Sequence, residues 1–124
     1  MPSFPAADFS AVFASLRDLL TPYGALLDCK ADTPGVYHLD TRHIMPNRKP
    51  LFFGAVQIKK HYVSYHLMPI YTHTRLLDRI SPDLQRRRQG KSCFNFKTVD
   101  EPLLAELAEL TRMGFDTYRR DGFV

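Results

Sequence analysis

From Phe9 onward the apolar residues Phe9, Val12, Phe13, Leu16, Leu19 and Leu20 recur at spacings of three and four. That period puts them on one stripe of an amphipathic helix. Asp8 stands in the N-cap position, and Thr21-Pro22 with Gly24 supplies the stop. The pattern then changes. "ALLDCKAD" and "GVYHLDT" read as two short strands around the turn "DTPG", because aspartate, proline and glycine each favour tight turns.

"RHIMPNRKP" carries two prolines and no period, which predicts a loop. "LFFGAVQI" and "HYVSYHLMPIY" are rich in β-branched and aromatic residues and predict a second hairpin. A two-residue turn at Lys59-Lys60 pairs Ile58 with His61, Val56 with Val63, Gly54 with Tyr65 and Phe52 with Leu67. Lysines suit the positive-φ positions of such a turn poorly, so a longer loop is the alternative.

In "TRLLDRISPDLQRRR" the break at Ser81-Pro82-Asp83 predicts two short helices meeting at Pro82. "GKSCFNFKT" alternates as a fifth strand, with Phe94 and Phe96 toward the core. "DEPLLAELAELTRMGFDTYRR" predicts a closing helix capped by Asp100, with Leu103, Leu107 and Leu110 on one face and Gly114 loosening its last turns. The order lacks a βαβ rhythm. It predicts a single α+β domain over residues 1–124: a mostly antiparallel sheet of about five strands, with terminal helices packed on one face and short helices before the last strand.

Composition narrows the class. A chain of 124 residues with 44% hydrophobic and 24% charged residues is long enough for one core and argues against disorder or repeats. The longest apolar run, Leu51 to Val56, falls far short of the roughly 20 residues a membrane span needs. No basic segment leads into an apolar leader, and Cys29 and Cys93 stand apart as reduced thiols do, so a cytoplasmic location is expected. The net charge of +4 permits an anionic partner, and much of the excess lies between Arg75 and Lys91.

Candidate chemistry is sparse. "AVQIKKHYVSYHLMPIYTH" holds three histidines, yet on a regular strand His61 and His66 point to opposite faces and cannot share a metal ion. His73 falls in a loop. "HLDTRH" offers His38, Asp40 and His43 as N and O donors, without the spacing of a closed metal motif. No nucleotide loop, zinc pair or hydrolase motif occurs. Cys93 shares strand parity with Lys91, Asn95 and Lys97, and the two lysines would favour its thiolate, but no base accompanies it.

The hairpin "KPLFFGAVQIKKHYVSYHL", the strand "GKSCFNF" and the closing helix together resemble the YdhG-like bacterial family, a domain of unknown function whose relatives include proteins named frataxin-like iron chaperones. The resemblance covers about residues 49–120. It singles out Lys49, Lys59, His61, Tyr65, Gly90 and Lys91, and implies an α+β fold with a non-enzymatic role. The chain departs from the pattern around Tyr37 to Arg42, where a Gly-Met-Pro segment is usual, and at His66, where proline is common.

The expected function is therefore a non-enzymatic binding module for a small anionic ligand or a protein partner. Lys49, Lys59, His61, Tyr65 and Lys91 would line its pocket. The alternative is nucleic-acid binding through Arg75, Arg79, Arg86, Arg87 and Arg88. A second alternative, an iron carrier, follows from the resemblance, but the first helix offers only Asp8 and Asp18 where hard cations need many carboxylates. No cofactor and no membrane association are expected.

Overall fold

A computed structural model describes residues 9–124. Asp8, the expected N-cap, lies outside the described residues. Helix α1 (Ser10–Arg17) and a 3-10 turn (Thr21–Tyr23) lead into strands β1 (Asp28–Thr33), β2 (Val36–Ile44), β3 (Pro50–Ile58) and β4 (Val63–Leu67). Helix α2 (Pro69–Thr72), a second 3-10 turn (Thr74–Arg79) and helix α3 (Pro82–Arg87) follow. Strands β5 (Arg88–Gln89) and β6 (Cys93–Phe96) and helix α4 (Glu101–Arg120) complete the chain. The class is α+β as expected, with six antiparallel strands in the order β1-β2-β3-β4-β6-β5.

The alternation of side chains decides which face is covered. Tyr37 and Leu39 of β2, Val56 of β3, Val63, Tyr65 and Leu67 of β4, and Phe94 and Phe96 of β6 share one face and are buried. Against them pack Val12, Phe13 and Leu16 of α1 and Leu103, Leu107 and Leu110 of α4. A bulge adds to this core. Leu39 pairs with Gly54 and Asp40 with Phe52, leaving Phe53 as an extra residue on β3. Phe53 thereby turns inward beside Phe115 and Tyr118, while Phe52 turns out to the uncovered face.

Short helices are fixed by their caps. Ser81 Oγ accepts from the Leu84 amide at 3.1 Å, and Ser81 donates from N and Oγ to the Glu106 carboxylate at 2.8 and 2.5 Å, tying α3 to α4. Asp100 caps α4 through the Leu103 amide, as expected.

Three expectations are corrected. The β3–β4 connection is the longer loop, closed by Lys59 N donating to Tyr62 O at 2.7 Å. Ile58 therefore pairs with Val63, Val56 with Tyr65 and Gly54 with Leu67. A shift of two residues keeps each strand residue on its face but takes His61 off the strand altogether. Second, β2 runs to Ile44, and "MPIY" leaves β4 to form α2, because Pro69 fits a first helical turn and supplies no strand donor. Third, Gly114 does not loosen α4, which continues to Arg120. A Cβ there would lie 2.9 Å from Pro69 Cβ, so the glycine lets α2 and α4 touch.

Candidate functional site

The face of the sheet left bare by the helices carries the remaining alternate residues. His38, Ala55, His66 and Cys93 pair across β2, β3, β4 and β6 in one row, and Gln57, Ser64 and Asn95 form the next. Ala55 sits between two histidines, so the middle of the row is a low floor. Around it opens a basin of about 470 Å³, bounded by Phe52 at one end and by Lys59 and Tyr62 at the other. Its size falls within the range of small-molecule sites.

The walls are fixed by their own partners. Phe52 lies between the rings of His38 and His66, each with centroids 4.7 Å away. His38 Nε2 lies 2.8 Å from Asp40 Oδ1, and His66 Nε2 lies 2.6 Å from Ser92 Oγ. These bonds fix the positions of both rings. Burial, with His38 nearby, lowers the pKa of His66. Burial pushes the Cys93 thiol up, against a hydrogen bond from Ser64 and the charge of Lys59. His66 and Cys93 face one another across β4 and β6, both neutral near pH 7. The pair therefore lacks the thiolate a cysteine nucleophile needs.

Of the residues expected to bind ligand, Lys59 alone lines this basin. Tyr65 is fully buried on the opposite face, its hydroxyl bonded to that of Thr111. Lys49 and Lys59 flank the two ends of nine-residue β3, roughly 30 Å apart at strand rise. His61 is exposed in the β3–β4 loop. Lys91, in the β5–β6 turn, lies over the exposed ring of Tyr71 at 5.5 Å. The five positions do not form one pocket, because the expected cluster ignored where each hairpin end lies along the sheet.

The arginines also divide. Arg86 pairs with Asp83 in α3, and Arg88 donates to the Lys91 carbonyl at 3.2 Å. Arg75 and Arg79 instead line a groove against α4. No three His, Cys, Asp or Glu side chains among the described residues converge to hold a metal ion. No helix among them is long and apolar enough to cross a membrane.

Sequence reasoning missed His38, Gln57, Ser64 and His66 as members of one site. Parity already put Ser64 with His66, and Cys93 with Asn95. What was absent was the pairing of β4 with β6, which joins residues about thirty positions apart, as in Ser64 with Asn95. Comparison with protein-family models, with curated proteins and with solved structures finds no match to this chain.

Proposed function

We propose that the chain is a binding module whose uncovered sheet face takes a small, flat, ring-bearing ligand with one anionic group. The observation that carries this reading is the alanine floor of the row His38, Ala55, His66, Cys93, around which a basin of about 470 Å³ opens. Rings of Phe52, His38, His66 and Tyr62 offer edges and faces to an aromatic ligand. Gln57, Asn95 and Ser64 supply hydrogen bonds in both directions. Among the described residues, Lys59 is the one lining residue with a permanent charge and no carboxylate lines the basin, which favours an acidic group at that end.

Titration of isotope-labelled protein with a panel of small aromatic carboxylates, followed by amide shifts, tests the reading. Binding should move Gln57, Ser64, His66, Cys93 and Asn95 together. Ala55→Val, which raises the floor, and Lys59→Gln, which removes the charge, should each weaken it. Absence of binding across the panel, or binding untouched by both substitutions, would overturn the reading.

A further inference from the structure

A second concave surface lies outside the basin and shares none of its residues. It runs between the Thr74–Arg79 turn and α4, with a volume of about 400 Å³. Along α4, Glu109, Arg112, Asp116 and Arg120 recur at spacings of three and four, so they form a single stripe beside it. Arg75 and Arg79 face that stripe from the turn, and Leu76 and Met113 form an apolar floor.

The charges are unevenly matched. Arg112 is engaged on both sides, paired with Glu109 and, at 2.8 Å, with Asp116. Arg120 donates to Thr117 Oγ1 at 3.3 Å. The side chains of Arg75 and Arg79 make no hydrogen bond or ion pair with any of the described residues, though the charge of Arg79 is felt by Glu109, and both are exposed. Among the described residues that line it, four guanidinium groups stand against two carboxylates, a surplus of two positive charges. The surplus sits on the side facing α4 across the groove.

We propose that this groove is a docking site for a phosphate monoester carried on a small organic group. A monoester near pH 7 bears close to two negative charges, which matches the surplus. Planar guanidinium groups hold phosphate oxygens through paired N–H donors, so Arg75 and Arg79 can clamp the phosphate while Leu76 and Met113 carry the organic part. Glu109 and Asp116 turn the site against longer polyanions. Both carboxylates lie along the same groove and repel a second phosphate, whereas a nucleic-acid strand presents phosphates in series.

Phenyl phosphate, inorganic phosphate and a single-stranded oligonucleotide, each titrated at low salt by calorimetry, separate the possibilities. Phenyl phosphate should bind more tightly than inorganic phosphate. The double variant Arg75→Gln/Arg79→Gln should lose about tenfold or more in that affinity, since two charge-assisted bonds go. Arg86→Gln/Arg87→Gln removes the same charge outside the groove and should leave it within about twofold. An equal loss in both double variants would reduce the effect to general charge and overturn the proposal. So would the absence of phenyl phosphate binding, or tighter oligonucleotide binding that weakens with Arg86→Gln/Arg87→Gln. A fall in melting temperature of Arg75→Gln/Arg79→Gln with affinity unchanged would make the arginines structural ties to α4 and overturn it as well.

Discussion

The hydroxyl of Tyr65, in the middle of β4, lies 2.5 Å from the hydroxyl of Thr111, in the middle of α4. Thr111 gives its own proton to the Leu107 carbonyl at 2.7 Å, so its oxygen accepts from Tyr65. Both residues have no exposed surface, and the bond joins sheet to helix inside the core. Burial raises the Tyr65 pKa, which keeps the phenol a neutral donor. A tyrosine that resembles a ligand-binding position is here a structural tie.

Removing the acceptor should cost more than removing the donor. Thr111→Val strands a buried phenolic hydroxyl and should destabilise by about 1–3 kcal/mol. Tyr65→Phe leaves Thr111 still bonded to Leu107 and should cost less, about 0.5–1.5 kcal/mol. The double variant should fall short of the sum, because the two changes share one bond. Urea unfolding measures all three, and strict additivity would show that the hydroxyls do not interact.

Gly114→Ala gives a prediction whose sign is diagnostic. In an exposed helix interior the change stabilises by about 1 kcal/mol. Here the new methyl would meet Pro69 Cβ at 2.9 Å and Cγ at 3.0 Å, atoms of a rigid ring rather than the far end of a flexible side chain. The substitution should destabilise by about 1–3 kcal/mol. A rise in the urea midpoint would mean that α2 swings away from α4 at little cost.

The contrast between Gly114 and the core positions shows what a sequence can carry. Periods of two and of three to four put Phe94, Phe96, Leu107 and Leu110 inside correctly, since each pattern reports its own element. Contacts between distant elements leave no such mark. Nothing near Gly114 announces Pro69, and nothing in "GKSCFNF" announces that β6 pairs with β4. The bulge at Phe53 had the same effect on a smaller scale, because strict alternation would have buried Phe52 or exposed Phe53. The basin escaped notice for these reasons: it is made where four strands meet, and His38, Lys59, His66 and Cys93 each stood out on a separate stretch with nothing local to join them.

His66 should make stability depend on pH in a definite direction. Its folded pKa is lowered by burial and by His38, whereas in the unfolded chain it is near the ordinary 6.5. Below that value the unfolded state takes up the proton more readily, so stability falls as the pH drops and rises as it climbs. His66→Gln can keep a polar contact to Ser92 without titrating. Urea midpoints from pH 7.5 to 5 should therefore fall more steeply for the wild type than for the variant. Parallel profiles would show that the folded ring is protonated as easily as the unfolded one.

The two thiols provide the most direct check on the basin. Cys29 is exposed on edge strand β1, and its thiol donates to the Ala31 carbonyl at 3.4 Å. Cys93 is half-buried in the basin wall with its thiol pushed up by burial, so it holds less thiolate at any pH where alkylation is run. Iodoacetamide at pH 8, followed by mass spectrometry with Cys29→Ser as the assignment control, should modify Cys29 first and Cys93 about tenfold more slowly. Lys59→Gln removes a nearby positive charge that favours the thiolate and should slow Cys93 further while leaving Cys29 unchanged. An aromatic carboxylate that occupies the basin should protect Cys93 alone, because it would cover the row His38, Ala55, His66, Cys93 and reach nowhere near β1's outer edge. Equal rates for the two thiols would contradict the half-buried wall. Protection of Cys29, or of both together, would place the ligand somewhere other than the open face of the sheet.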